Sequence, residues 1–467
     1  MELVEWIDAH QALFAELSER VWEFAELGFT ETRSTDLFAS ALEQAGFAVQ
    51  RTLAGMPTAL VGSFGQGRPV IALLGEFDAL PGLSQEQLPY QKPREAGGNG
   101  HGCGHNLLGT ASLAAAMAVQ QAINARGLPG TVRFYGCPAE ENGSGKTFMV
   151  KAGIFQDVDL SLCWHPDVFN GITGANALAN IKVNFRFHGK ASHAAYDPYN
   201  GRSALDAVEL MDVGANYLRE HLIPEARLHY VITNGGGPAA NVVPPLAESQ
   251  YIIRAPTLDQ VQGIYTRVQD IARGAALMTG TEVEVLFQKG MSNLLLVQAI
   301  TDVLYEKMVQ VGPPEFSQGD LDFARQITAV CPESDVEGML AMTYGREARA
   351  LVPEGAVLLT SVMPNVLTDY VAPGSTDVGD VSWVTPTGQI QTTCAALRTP
   401  SHSWQMTAQA GMSIGQKGML YAAKVLGLAA LDYLTDPVRL SQAQKEFQEK
   451  IRKTPYRCPI PDGVKPF

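Results

Sequence analysis

Apolar residues recur along this chain in two rhythms: every three to four positions, as on one face of a helix, and in short continuous runs, as in buried strands. Up to about residue 50, ending near "LEQAGF", the helical rhythm holds. Two β-rich runs follow, "ALVGSF" and "PVIALLGEFD", with Asp78 at the end of the second. The alanine-rich "NLLGTASLAAAMAVQQAINA" predicts a long helix starting near Asn106. Next come a strand, "TVRFYGC", a polar loop, a helix through "KTFMVKAG", and a strand, "VDLSLCW", that runs straight into His165. Strands alternating with helices predict a mostly parallel sheet.

From about residue 180 to 289 the order changes. "NIKVNFRFHG" reads as a strand, "GRSALDAVELMDVGANYLREH" as a helix, "RLHYVITNGG" and "LAESQYIIRA" as two strands, "LDQVQGIYTRVQDIARGAALMTG" as a helix and "TEVEVLFQ" as a last strand. The order β-α-β-β-α-β is the split ferredoxin-like unit. The pattern therefore divides the chain into 1–179 and 290–467, which together make one α/β domain, with 180–289 inserted between them. After Lys289 a long helix resumes the first rhythm, while the Pro-, Gly- and acid-rich stretch 313–375 carries no pattern that assigns elements. "STDVGDVSWVTP", "QIQTTCAALRTPSHSW" and a small-residue helix through "GMLYAAKVLGLAALDYL" follow. There are no internal repeats.

The 467 residues are enough for two or three domains. A net charge of −14 argues against nucleic acid or anionic membrane as a partner, because an acidic surface repels both. The acidic, helix-periodic start lacks the basic-then-apolar order of a signal peptide, and no apolar run approaches the roughly 20 residues of a bilayer helix. Cys103, Cys137, Cys163, Cys331, Cys394 and Cys458 are scattered, which predicts reduced thiols and a cytoplasmic location.

Chemistry concentrates at four places. "GNGHGCGHNLLG" sets Cys103 and His105 just before a helix N-terminus, where free N–H groups and the helix dipole favour a thiolate. "CPAEENGSGK" places Glu140 and Glu141 side by side after a strand, suited to one metal ligand and one general base, or to a solvated pair at a helix start. His165 ends its strand, and His402 lies in the loop "TPSHSWQ" before the last long helix. Open α/β sheets bind ligands at the carboxyl ends of their strands. One Cys, three His and a Glu there make a mixed donor set for Mn2+, Zn2+ or Co2+, with Asp78 able to orient a ligand histidine. "NGSGKT" imitates the end of a phosphate-binding loop, but Glu140 stands where that pattern needs glycine, so the nucleotide reading fails. In the inserted unit, His193 and Asn241 occupy small-residue and glycine-rich loops, as ordinary turn residues or as donors to an oxyanion. Arg254, ending "YIIR", is either a surface arginine or a partner for a substrate carboxylate.

Together, "GCGHN", "PAEENGSGK", "STDVGDVSWVTP" and "TPSHSWQ" resemble the M20 family of metallopeptidases and amidohydrolases, in the subfamily of amino-acid amide hydrolases with an H-x-C-G-H motif. The likeness runs over nearly the whole chain and is strongest to the branch acting on p-aminobenzoyl-glutamate. It implies an α/β, mixed-sheet metallohydrolase catalytic domain with an inserted ferredoxin-like (βαββαβ) lid or dimerisation domain. It also implies two divalent metal ions, Mn2+ or Zn2+. Cys103 would bridge them, with His105 and His165 on one, Glu141 and His402 on the other, and Glu140 as general base. His101 falls outside that ligand set. His193 and Asn241 fall where the family's lid presents oxyanion- or carboxylate-binding groups, the histidine commonly across a dimer interface. The family's R-A-D-M-D-A-L-P stretch reads "LLGEFDALPG" here, its usual E-D-F acidic pair reads Thr376–Asp377, and segment 313–375 is longer than in hippurate-type members.

The resulting expectation is metal-dependent hydrolysis of an amide in N-acyl or N-aroyl amino acids. Its alternatives are an N-deacetylase or dipeptidase of the same fold, and a subunit active only with a partner. The expected assembly is a homodimer or a heterodimer with a related subunit.

Overall fold

The computed structural model describes residues 3–467; Met1 and Glu2, which open the first expected helix and the 1–179 region, lie outside them. Three helices open the chain, Leu3–Ala9, Gln11–Phe24 and Thr32–Gln44. The strands, in chain order, are β1 (Ala48–Leu53), β2 (Met56–Gln66), β3 (Val70–Glu76), β4 (Gly130–Cys137), β5 (Leu160–Asp167), β6 (Gly171–Ile172) and β7 (Asn176–Ala177). They continue with β8 (Ala179–His188), β9 (Arg227–Asn234), β10 (Leu246–Ala255), β11 (Glu282–Met291), β12 (Val371–Ala372) and β13 (Thr387–Thr393).

Seven strands form one sheet in the order β1-β2-β4-β3-β5-β13-β6. Its centre, β4-β3-β5-β13, is parallel. The pairs β1–β2, β2–β4 and β13–β6 are antiparallel, so the sheet is mixed rather than mostly parallel. The strand–helix alternation that predicted a parallel sheet registers only crossovers. The first hairpin turns through Ala54–Gly55 and needs no crossover, and the helical reading of the first fifty residues ends where β1 begins. β3 is buried along its whole length, as a strand covered on both faces must be.

One face is covered by the helix His105–Arg126, which packs on the helix Ser413–Thr435. Both are rich in small residues, so backbones approach closely: a Cβ on Gly109 would come within 2.7 Å of the Glu76 carbonyl oxygen. The chain there has no room for a side chain.

The second sheet is fully antiparallel, in the order β11-β8-β10-β9, with helices Ala204–Arg219 and Leu258–Thr279 packed against it. Its elements follow the β-α-β-β-α-β order of the sequence pattern. It has its own apolar cluster, including Ile181, Val183, Phe185, Val208, Tyr251, Ile253 and Val268. Burial alternates along β8, the signature of a sheet with one covered face. Segment 313–375 contributes helices Gln318–Ala329 and Val336–Tyr344, a 3-10 turn Arg346–Leu351, and β12, which pairs with β7. The Tyr344 hydroxyl donates to the Ile172 carbonyl at 2.7 Å and ties this segment to β6. Among the described residues, no helix is long and apolar enough to cross a membrane.

Candidate active site

Because β3, β4 and β5 are parallel neighbours, their carboxyl ends lie side by side. Asp78 follows β3, Glu140 and Glu141 follow β4, and His165 is near the end of β5. The fourth contribution is the loop before the helix His105–Arg126. Gly104, at φ +76, makes the left-handed turn that puts His105 at the first helical position. The fifth is His402, whose backbone N–H donates to the Gly102 carbonyl at 2.9 Å and closes the last loop onto the first.

The five expected donors come together. Cys103 Sγ lies 3.4 Å from His165 Nε2, and His402 Nε2 lies 3.5 Å from Glu141 Oε1. Two groups of donor atoms result, Cys103–His105–His165 and Cys103–Glu141–His402, each with all members within 4.8 Å of one another. Cys103 belongs to both, the position of a bridging ligand. Asp78 sets the frame. Its Oδ1 accepts from His105 Nδ1 at 2.9 Å, and its Oδ2 accepts from the Glu141 backbone N–H at 3.0 Å. Retaining only that proton, on Nδ1, His105 would present the Nε2 lone pair that a metal ligand requires. His165 is set the same way, with Nδ1 donating to the Pro166 carbonyl at 2.7 Å.

These residues fit divalent cations on a specific ground. His105 Nε2 and Glu141 Oε1 are buried polar atoms with no hydrogen-bond partner. Leaving such a group unpaired costs about 1–3 kcal/mol each, which a bound ion removes. Burial and the neighbouring His105 push His165 down to about 4, so its ring is the neutral, ligating form. The expectation that the helix end favours a Cys103 thiolate is not met by the protein alone. Burial, and then Glu141, push the thiol well up, outweighing the helix dipole, so the thiolate depends on a cation. His101 is buried, its Nε2 bonded to the Val21 carbonyl at 3.0 Å, and burial pushes it down to about 3; it is structural and outside the donor set.

Glu140 has the character of a base. Burial, followed by the nearby carboxylates Glu76, Glu141 and Asp377, raises it well above the ordinary glutamate value. The turn that carries it is held at several points. Ala139 sits at φ +57 with its N–H on Glu31 Oε1 at 2.8 Å, and Lys289, near the end of β11, donates to the Glu141 carbonyl at 3.0 Å.

The remaining expected residues sit elsewhere. His193 and Asn241 are exposed on the second sheet's loops, which meet through the Ala194 N–H and the Asn241 carbonyl at 2.9 Å. His193 Nδ1 accepts from the Ala195 and Tyr196 N–H groups, leaving the ring proton on Nε2, the tautomer of a donor. No bond joins either residue to the donor cluster among the described residues. Arg254 is half-buried rather than on the surface, its Nη1 donating to Ser375 Oγ at 3.1 Å.

Three buried charges escaped the reading of the sequence: Glu76, Lys146 and Asp377. Lys146 Nζ lies 2.6 Å from Glu76 Oε1 and 2.5 Å from Asp377 Oδ1, so the lysine of "NGSGKT" is engaged by carboxylates and holds no phosphate. The available signal was an acid inside an apolar run, "VIALLGE", since charged residues are rarely buried unless paired.

A family model described as peptidase family M20/M25/M40 matches residues 72–312. One subunit of the p-aminobenzoyl-glutamate hydrolase of Escherichia coli is 48% identical over 98% of this chain and 97% of its own length. The chain belongs to peptidase family M20. Also similar is the Xaa-Arg dipeptidase of Mus musculus, 29% identical over 96% of this chain and 92% of its own. Among solved structures, a dinuclear metal binding peptidase of family M20 from Bacillus subtilis superimposes with a TM-score of 0.57 at 17% identity, covering 91% of this chain and 99% of that one. This family M20 chain is thus a metal-dependent hydrolase of amide bonds, with its donor cluster at the strand ends where α/β sheets place their ligands.

Proposed function

We propose that this chain hydrolyses N-acyl or N-aroyl amino acids of the p-aminobenzoyl-glutamate type and releases the amino acid. The observation that carries this reading is Glu140, a part-exposed carboxylate standing beside two donor groups that share Cys103. Two ions, Mn2+ or Zn2+, would be held by Cys103 between them, by His105 and His165 on one side and by Glu141 and His402 on the other. When bound, they supply Lewis-acid polarisation of the amide carbonyl and a lowered pKa for water. Glu140 accepts the proton of the attacking water and delivers it to the amide nitrogen as the C–N bond breaks, so the carboxylate is regenerated. His193, with its proton on Nε2, and Asn241 donate to the carbonyl oxygen as it gains charge. They reach it through movement of the second unit or from a second copy. Arg254 pairs with the substrate carboxylate.

A dimer is supported by the outer face of the second unit. Leu210, Val213 and Tyr217 are exposed on one helix, and Val231 and Ile232 on the edge strand β9. An apolar face beside an open strand edge suits pairing with a second copy or with a related subunit, and the similar Escherichia coli protein is itself a subunit. A cytoplasmic location is supported by the six cysteines, all free.

The test couples metal analysis of the purified chain to a panel of p-aminobenzoyl-glutamate, N-acetyl amino acids and dipeptides ending in arginine. Metal-dependent release of glutamate, fastest from the aroyl substrate, is expected. Cleavage of the dipeptides alone favours the dipeptidase reading that the mouse relative supports. Activity that appears only on adding a related subunit establishes the accessory reading.

A further inference from the structure

Helices cover one face of the four-stranded sheet, and charge is unevenly divided along the other. On β8 that open face carries Lys182, Asn184, Arg186 and His188. At the His188 end the cations meet acids: Arg186 pairs with Glu248 at 2.9 Å, and His188 lies 3.1 Å from Glu284. At the other end they do not. Register sets Lys182 beside Lys289 of β11 and beside Ile252 of β10, which in turn faces His229 of β9. Directly paired residues project to the same face, so Arg254 of β10 and its partner Arg227 of β9 join the row. Five basic side chains thus share one end of the face with no carboxylate among them. This occurs in a chain whose 48 acidic residues outnumber its 34 Lys and Arg, so acids to balance the row are not scarce.

The row abuts the donor cluster. Lys289 Nζ donates to the Glu141 carbonyl at 3.0 Å, and Arg254 Nη1 to Ser375 Oγ at 3.1 Å. An ammonium has three protons, so Lys289 keeps two for an anion. Lys182 makes no ion pair or hydrogen bond among the described residues. Burial, and then Lys289, lower its pKa, with no carboxylate acting in the other direction. Burial alone lowers that of Arg254. Half-buried cations held together without a counter-charge are costly, and an anion between them removes that cost.

We infer that Lys182 and Lys289 hold the side-chain carboxylate of an acidic leaving amino acid, glutamate or aspartate, while Arg254 pairs with its α-carboxylate. Arg254 is diagonal to Lys182 across β10 and β8, about 7 Å away at Cβ, a gap that long side chains close onto two carboxylates of one molecule. The same row repels the guanidinium of a dipeptide ending in arginine. Assigning the anion to a leaving amino acid rests on the hydrolase reading above.

The experiment compares p-aminobenzoyl-glutamate with p-aminobenzoyl-glutamine, which differ by one charge, on the Mn2+-loaded full chain. The glutamate compound is expected to have the higher kcat/KM by ~10–100-fold, carried by KM. Lys182→Met keeps the length of the side chain and loses the ammonium, and there the ratio falls ~10-fold or more. In Lys182→Arg, which keeps the charge, the ratio persists. Lys182→Gln replaces the methionine variant if that one does not fold. Calorimetry with free glutamate and glutamine reads the same preference without turnover. Equal values for the two compounds on the native chain, or a ratio that loss of the ammonium does not move, overturn the inference. Cleavage of neither aroyl compound, with glutamate still bound over glutamine through Lys182, instead overturns the hydrolase reading.

Discussion

The two sheets hold their functional candidates in opposite ways. In the seven-stranded sheet, Cys103, His105, Glu141 and His165 are at least partly buried, and Asp78 or a backbone carbonyl fixes the orientation of the key groups. In the four-stranded sheet, His193 and Asn241 stand exposed on two loops that are bonded to themselves and to each other. Folding alone completes the first arrangement. The second acquires a role only by approaching something else. Preorganisation lowers the cost of ion binding and fixes the reacting geometry, while exposed donors permit substrate entry before closure.

The sharpest way to break this contrast is Glu140→Gln. Turnover is expected to fall on the order of 10³–10⁴-fold with bound metal unchanged, measured by initial rates and metal counting. Full activity would remove Glu140 from the chemistry. His193→Ala comes next, with a loss of ~10²–10³-fold in kcat and no change in metal content or melting temperature. A loss of metal in that variant would erase the distinction between the regions. Asp78→Asn, which breaks the frame between His105 and Glu141, should weaken metal binding by ~10–100-fold in equilibrium dialysis.

The smallest effect belongs to a control outside the donor set. Burial alone would raise the Asp320 carboxyl, but hydrogen bonds from Lys417, Ser413 and Ser317 hold it at about 2, below the ordinary 3.8. A lowered carboxylate stabilises the fold above its ordinary value, and that contribution fades as pH falls through about 2. Asp320→Asn should therefore cost about 1 kcal/mol in urea unfolding at pH 7, and progressively less from about pH 4 downwards.

The legibility of each region followed from the same physics. The ferredoxin-like order could be read because its strands alternate apolar and polar positions and its helices carry a clear stripe. Asp78, Cys103, His105, His165 and His402 were readable because chemistry-bearing residues stand at strand ends or among glycines, where packing does not require them. Glu76, Lys146 and Asp377 were not, since their partners lie far apart in the chain and a buried ion pair looks locally like ordinary polar residues. Lys146 even sat inside a misleading phosphate-loop pattern. The hairpin of β1 and β2 was missed for a different reason: β1 is largely exposed and has no continuous apolar run.

The chain order of the donors has a consequence for biosynthesis. Cys103, His105, Glu141 and His165 precede the second sheet, while His402 follows both it and the 313–375 segment. At ~5–20 residues per second, His402 leaves the ribosome tens of seconds after His165. In that interval the nascent chain would hold four of the five proposed donors, with Glu141 still waiting for His402. Full occupancy of the proposed two-ion centre would therefore depend on the last part of the chain folding back onto the first.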